Sequence, residues 1–236
     1  MKGVYLLLWL EGPLQSWGFD SKFNRRDTLA FPTKSGVLGI LLSALGARGP
    51  QRQLLAGLGR SPLTVISYAR TQSGKIQDPA PTLIDFHMVG SGFDEHDPWE
   101  LMHIPKTING KKAVGGGTKM TYRYYLQDAQ FAAILEVLTE SAENYANALK
   151  YPTFDLYLGR KCCIPTDFIF RGVFDEEQKA LGMASEIAEG KSLAERFRVI
   201  EGDQGREVML LNDVPIQFGE VKMYRERSVV VIPYGR

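Results

Sequence analysis

Seven consecutive apolar residues, Val4-Tyr5-Leu6-Leu7-Leu8-Trp9-Leu10, constrain this chain more than any other feature. A strand sends alternate side chains to opposite faces, so an unbroken apolar run of this kind needs cover on both sides. It is too short to cross a membrane and runs into Glu11 and Gly12 without a small-residue cleavage site. A buried central strand is the expectation, ended by Gly12-Pro13.

At 236 residues the chain can bury a full hydrophobic core. Beyond a basic loop, Thr33 is placed to cap a helix whose apolar face is Val37, Ile40, Leu41, Ala44 and Leu45. The opposite track, Gly36, Gly39, Ser43 and Gly46, lets another backbone come close. Residues 46–59 read as a helix exit and a short helix or irregular link, and 63–69 as a second strand. Residues 72–117 hold Pro79, Pro81, Pro98, Pro105, the run Asp94-Glu95-His96-Asp97 and Gly115-Gly116-Gly117, turn formers that argue against a long regular element. A strand over 120–126, a turn at Asp128, a paired strand over 131–137 and a helix near 141–149 follow, with Pro152 closing that helix. A short apolar element then opens into a cationic loop over 156–165, followed by a strand at 168–174 and an acidic amphipathic helix at 176–190. Strand candidates at 207–211 and 228–232 complete the tail. This order fits an α/β chain with a ferredoxin-like core over 1–175, an inserted segment at 72–118, and a helix plus a β-rich C-terminal extension over 176–236.

The formal net charge of +1 conceals a gradient. Residues 1–60 carry eight Lys/Arg against three Asp/Glu, 61–125 seven against six, and the remainder thirteen against eighteen. Such asymmetry points to an anionic partner on one side of the molecule. Cys162 and Cys163 are adjacent and supply no disulfide framework, which favours a reducing, cytoplasmic setting. His87, His96 and His103 show no zinc spacing, and no cofactor or metal is called for.

Three cationic junctions carry the candidate chemistry. Lys22, Arg25 and Arg26 precede the first helix, and Lys34 and Ser35 sit in its opening turn, where free N–H groups can hold an oxyanion. Gly159-Arg160-Lys161 forms the second; Lys111-Lys112 before the glycine triplet, with Lys119 and Arg123 beyond, forms the third. Brought together, they would line a path for a single-stranded RNA backbone, with Trp17, Phe23, Tyr122 and Tyr124 available for stacking or for packing. Solvated loop charge is the alternative. Gly36-Val37-Leu38-Gly39 lacks the dinucleotide fingerprint, and Pro32-Thr33-Lys34-Ser35 lacks the upstream glycines of a phosphate-binding loop. Metal-independent RNA cleavage by His103, Tyr122 and Lys111 is the enzymatic alternative.

Gly12-Pro13-Leu14-Gln15-Ser16-Trp17-Gly18, Pro32-Thr33-Lys34-Ser35-Gly36-Val37-Leu38-Gly39 and Leu158-Gly159-Arg160-Lys161-Cys162-Cys163-Ile164-Pro165 closely resemble the CasD family of CRISPR Cascade subunits. That family is the type I-E branch of the repeat-associated RNA-binding proteins. The resemblance implies an RNA-recognition-motif-like core with a protruding thumb, for which 72–118 is the natural segment. It also implies a non-catalytic subunit that grips the 5′ handle of CRISPR RNA at one end of the complex in antiviral defence. The large subunit and a backbone subunit would be neighbours, with target DNA close by and no membrane. Carried onto this chain, Gln15, Ser16, Trp17, Gly18, Thr33, Lys34, Ser35, Gly159, Arg160 and Lys161 would form the handle surface. Arg25, Arg26, Lys111, Lys112, Lys119 and Arg123 are added from their charge. A related subtype cleaves RNA with a tyrosine, lysine and histidine; here Lys111-Lys112 is followed by Ala113.

Overall fold

The computed structural model describes residues 3–19, 21, 24–89, 94, 96–104, 106–111, 119–203 and 207–234. In chain order the elements are β1 (Gly3–Gln15), β2 (Arg25–Arg26), α1 (Lys34–Ala44), α2 (Arg52–Leu58), β3 (Leu63–Gln72), β4 (Lys75–Ile76) and β5 (Leu83–Val89). There follow α3 (Pro98–His103), β6 (Lys119–Leu138), α4 (Thr139–Lys150), β7 (Phe170–Phe174), α5 (Glu177–Gly190), β8 (Leu193–Glu201), β9 (Met209–Gln217) and β10 (Met223–Pro233).

The apolar run lies inside a mixed α/β fold built on a large, mainly antiparallel sheet, in the order β7-β1-β6-β3-β8-β10-β9. Its continuity follows from cover on both faces. Leu6, Leu8 and Leu10 pack with Val37, Leu38 and Leu41 of α1 and with Tyr145 and Leu149 of α4. Leu7 and Trp9 point the other way, into a second core with Ile66, Ala132, Ile134 and Ala180, Ala184 and Ala188 of α5. Each fully buried leucine contributes roughly 1.5–3 kcal/mol. The alanines, four residues apart, let α5 sit close against the sheet.

β1 does not stop at Gly12-Pro13. It continues to Gln15, pairing Gly12 with Ala129 and Leu14 with Gln127. Pro13 falls between these pairs, at a position that needs no donor, and β7 pairs with β1 only as far as Leu8, so the chain there is an edge where proline is tolerated. Asp128 makes no turn either. β6 is one strand of 20 residues, and Asp128, with φ of 45°, is a bend within it. Before the bend β6 pairs with β5, from Val89↔Lys119 to Leu83↔Tyr125; its pairing with β1 crosses the bend, from Gln15↔Leu126 to Gly3↔Leu138, and its pairing with β3 lies beyond it. Aspartate tolerates this left-handed conformation, and the same property makes it resemble a turn residue.

The segment 72–117 is also more regular than its prolines imply, holding β4, β5 and α3. With the first third of β6, β5 forms an arm whose side chains Ile84, Phe86, Met88, Met120 and Tyr122 are exposed. Residues 156–165, by contrast, contain no strand; Leu158 N–H donates to Cys163 O and Cys163 N–H to Arg160 O, so they close a compact loop on buried Leu158 and Cys163.

α1 begins at Thr33, whose Oγ1 accepts from Gly36 N–H at 3.2 Å. Its first turn is pinned to the C-terminal strands by a buried charge network. Asp213 of β9 accepts from the Lys34 backbone N–H at 2.7 Å and from Arg227 of β10 at 2.6 and 2.8 Å. Lys34 Nζ donates to Glu201 of β8 at 2.9 Å and to Ser61 O at 2.6 Å, and Arg227 also reaches Glu201. Two cations and two anions cancel here. Burial pulls the Lys34 ammonium pKa below its ordinary value, with Glu201 opposing. Removing one member strands a buried opposite charge. Asp213→Ala should therefore cost about 3–5 kcal/mol, read as a lower urea midpoint at unchanged slope.

Candidate nucleic-acid interface

A cleft of about 860 Å³ opens between α1 with its exit at 47–49, the 154–161 loop and the β9–β10 end of the sheet. Two glycines hold its walls together. A Cβ on Gly36 would lie 2.7 Å from the Trp17 ring, and one on Gly159, where φ is +93°, would lie 1.8 Å from Ser16 O. Ser16 N–H donates to Leu158 O at 3.1 Å, completing the contact between the first and third motifs. The three segments singled out in the sequence are thus one packed unit.

Within that unit most of the expected contact residues are internal. Gln15, Ser16 and Trp17 are buried. Gln15 Nε2 donates to Leu10 O and Ala129 O, its Oε1 accepts from Trp17 Nε1 at 3.1 Å, and Ser16 Oγ donates to Tyr124 O. Their side chains build the turn that presents Gly18 to the cleft. Thr33 is buried as the helix cap and Ser35 Oγ donates to it. Lys34 corrects the expectation most sharply. At 1% exposure its ammonium is held by Ser61 and Glu201 and turns away from the cleft. The helix start is likewise not an open oxyanion cradle: the Asp213 carboxylate and Thr33 take the N–H groups of Lys34, Gly36 and Val37.

The cations that face outward come from the loops. Arg160 and Lys161 line the cleft. Arg160 lies over the Tyr125 ring at 4.7 Å and donates to Arg26 O at 2.8 Å and to Tyr124 O at 3.4 Å. Burial, followed by the Cys162 hydrogen bond, raises the Tyr125 pKa and keeps its phenol neutral. Arg25 lies over Tyr124 at 4.7 Å and pairs with Asp27. The parallel pairing of β2 with β6 sets Arg25 beside Tyr122 and Arg26 beside Arg123. Arg25, Arg26, Arg123 and Arg160 therefore gather at the root of the arm, and the first and second junctions do meet. Lys111 is exposed in the turn after α3, where its carbonyl accepts from Thr107 N–H at 2.7 Å. Lys119 pairs with Val89 at the start of β6. Lys112, Lys22, Phe23 and the glycine triplet lie outside the described residues, as does the His103 side chain. His87 pairs with Asp85 on β5, and among the described residues no group of three or more metal-ligating side chains is assembled.

Sequence reasoning missed the opposite wall, where Arg48, Lys222 and Tyr224 line the cleft and Arg48 lies over Phe154 at 5.1 Å. Arg48 stands between Gly46 and Gly49 in the helix exit, a local signal of a displayed loop. Lys222 was hidden in an acidic C-terminal third. The glycines offer a direct test. Gly159→Ala, strained in φ and blocked by backbone, should cost roughly 2–4 kcal/mol. Gly39→Ala, whose Cβ meets nothing within 4 Å, should instead stabilise by up to about 1 kcal/mol; thermal denaturation separates the two.

A family model described as CRISPR-associated protein (Cas_Cas5) matches residues 5–230. CRISPR system Cascade subunit CasD of Escherichia coli (strain K12) is 29% identical over 182 residues, 75% of each chain. Among solved structures, a chain of a CRISPR RNA-guided surveillance complex aligns with a TM-score of 0.69 at 27% identity, over 97% of this chain and 89% of that one. A Cas protein crystal structure aligns with a TM-score of 0.61 at 26% identity, over 97% and 94% of the two chains.

Proposed function

The chain belongs to the CRISPR-associated Cas5 family, and from that premise we propose that it is a non-catalytic, RNA-binding subunit of a Cascade complex that grips the 5′ handle of CRISPR RNA in the cleft. One observation carries the reading: loops distant in sequence converge on a single trough rimmed by Arg160, Lys161, Arg48 and Lys222. Since the helix start is already occupied by Asp213, side-chain cations supply the attraction to phosphate, and it weakens with salt. Tyr157 and Tyr224 in the same walls offer faces for unstacked bases.

The order β1-α1-β3-β6-α4-β7, with the four strands arranged β7-β1-β6-β3, supports a ferredoxin-like, RNA-recognition-motif-like core within residues 1–175. On this reading 72–118 with the first third of β6 is the thumb, and residues from 176 onward are an extension that α5 and β8 join to the core. α5 covers the sheet face on which recognition motifs usually stack bases, which moves RNA to the cleft on the other side. The thumb's apolar face fits contact with a neighbouring backbone subunit, and the large subunit and target DNA lie nearby in the assembly. No described helix is long and apolar enough to cross a membrane.

Filter binding of handle-bearing RNA at several salt concentrations tests the cleft. Arg160→Ala with Lys161→Ala should reduce the slope of log affinity against log salt by about 1.4, at ~0.7 per phosphate contact. Lys34→Met should lower the melting temperature and leave that slope unchanged. Identical slopes for both variants and the parent would place RNA elsewhere. The RNA should emerge intact from incubation in chelator. Deleting residues 80–110 should chiefly impair co-purification with the other Cascade subunits, and unchanged assembly would remove the thumb role.

A further inference from the structure

One buried polar side chain in the centre of the sheet is used by nothing described so far. Gln130 follows the bend of β6, opposite Glu11 on β1 and Tyr68 on β3, and is 6% exposed. It stands two residues before Ala132 and so projects to the α5 side, across the sheet from the cleft. Among the described residues none hydrogen-bonds its carboxamide, and its polar atoms, not being among those sealed without a partner, open on solvent. A carboxamide without a protein partner that opens on a cavity is satisfied by water there, and can exchange that water for a ligand. Here it lines two cavities, of about 480 and 360 Å³, which share Gln130 and Arg70.

The surroundings select the ligand. Glu11 is neutralised by Lys191 at 2.9 Å and accepts from Trp9 Nε1 at 2.7 Å, and Lys191 also reaches Asp167 at 2.8 Å. Those charges are matched within the protein. Arg70 is exposed on the rim and has no ion pair among the described residues. Tyr68 forms an aromatic flank, 5.3 Å from the Trp9 ring. The basin thus combines a planar donor and acceptor in its depth, an aromatic side and one unspent cation at its mouth.

We propose that the Gln130–Arg70 basin is a second ligand site, which takes a nucleotide with its base edge on the Gln130 carboxamide and its phosphate on Arg70. A carboxamide presents a donor and an acceptor in one plane, the complement of the paired acceptor and donor on a base edge. The guanidinium supplies the charge-assisted contact to phosphate. The nucleotide is either free or one unit of a single strand passing over the α5 side of the sheet. The site rests on no part of the handle-binding reading, since none of the residues that line it borders the cleft.

Equilibrium dialysis of the full chain against each of the four ribonucleoside monophosphates, and against ribotetranucleotides, tests it. Saturable uptake of at least one probe is expected, weakened by about tenfold or more in Gln130→Leu and reduced in Arg70→Ala, while handle RNA binding through the cleft stays unchanged. Gln130→Leu should melt no lower than the parent, since no protein hydrogen bond is lost; if it disturbs the sheet, the isosteric Gln130→Glu, which removes the donor, must show the same loss. Uptake of tetranucleotide alone, with the same sensitivity to Gln130, assigns the site to a strand. Uptake of monophosphate assigns it to the free nucleotide as well. No saturable uptake at millimolar probe, or uptake indifferent to both Gln130 and Arg70, overturns the proposal.

Discussion

The cleft depends on close backbone approach at two glycines. With Gly159 against the Ser16 carbonyl and Gly36 against the Trp17 ring, the end of β1, the start of α1 and the 158–163 loop occupy positions that no larger residue would permit. Loops that carry cations usually wander, because their charges favour water. Here they are fixed by steric exclusion and by a buried polar chain running from Ala129 O through Gln15 to Trp17. The cations are displayed by a rigid floor that contains almost none of them.

Charge inside the protein performs a different task from charge at its surface. Lys34, Arg227, Asp213 and Glu201 are spent on docking α1 to three C-terminal strands. Such a cluster has little net advantage over apolar packing, but losing any one member leaves an opposite charge buried without its partner. It orients the C-terminal sheet so that Lys222 and Tyr224 face Arg160 across the trough. By taking the Lys34 N–H at the positive end of α1, Asp213 leaves side-chain cations as the groups that an anion entering the trough would meet.

Much of this was legible in the sequence, and the departures have common physical causes. The apolar run, the Thr33 cap, the α4 and α5 helices and the strands expected at 63–69 and 168–174, the latter starting two residues later at Phe170, follow from periodicity and capping chemistry, which are local. Pro13 and Asp128 misled because the same residue types serve turns, strand edges and bends, and only the partner strand decides among them. Lys34 misled for a related reason: a lysine in a helix's opening turn reads as a phosphate ligand unless its counter-ions are known, and they lie 167 and more residues away in sequence. Gly159-Arg160-Lys161 was found because glycine and charge coincide locally. Arg48 and Lys222 required the fold, since one wall of the cleft is built by a segment whose overall composition is acidic.

The bend at Asp128 gives one strand two employments. The outer part of β6 forms the arm with β5, while the remainder lies between β1 and β3 in the middle of the sheet. On this side the arm has no separate hinge loop: β6 runs on through the positive φ of Asp128, and its ladder with β1 spans that bend. A sideways pull at the tip is therefore felt as shear in the ladder between β1 and β6. Because β1 ends in the turn that floors the cleft, a neighbour seizing the arm and a ligand seated in the trough would load the same rail from its two ends.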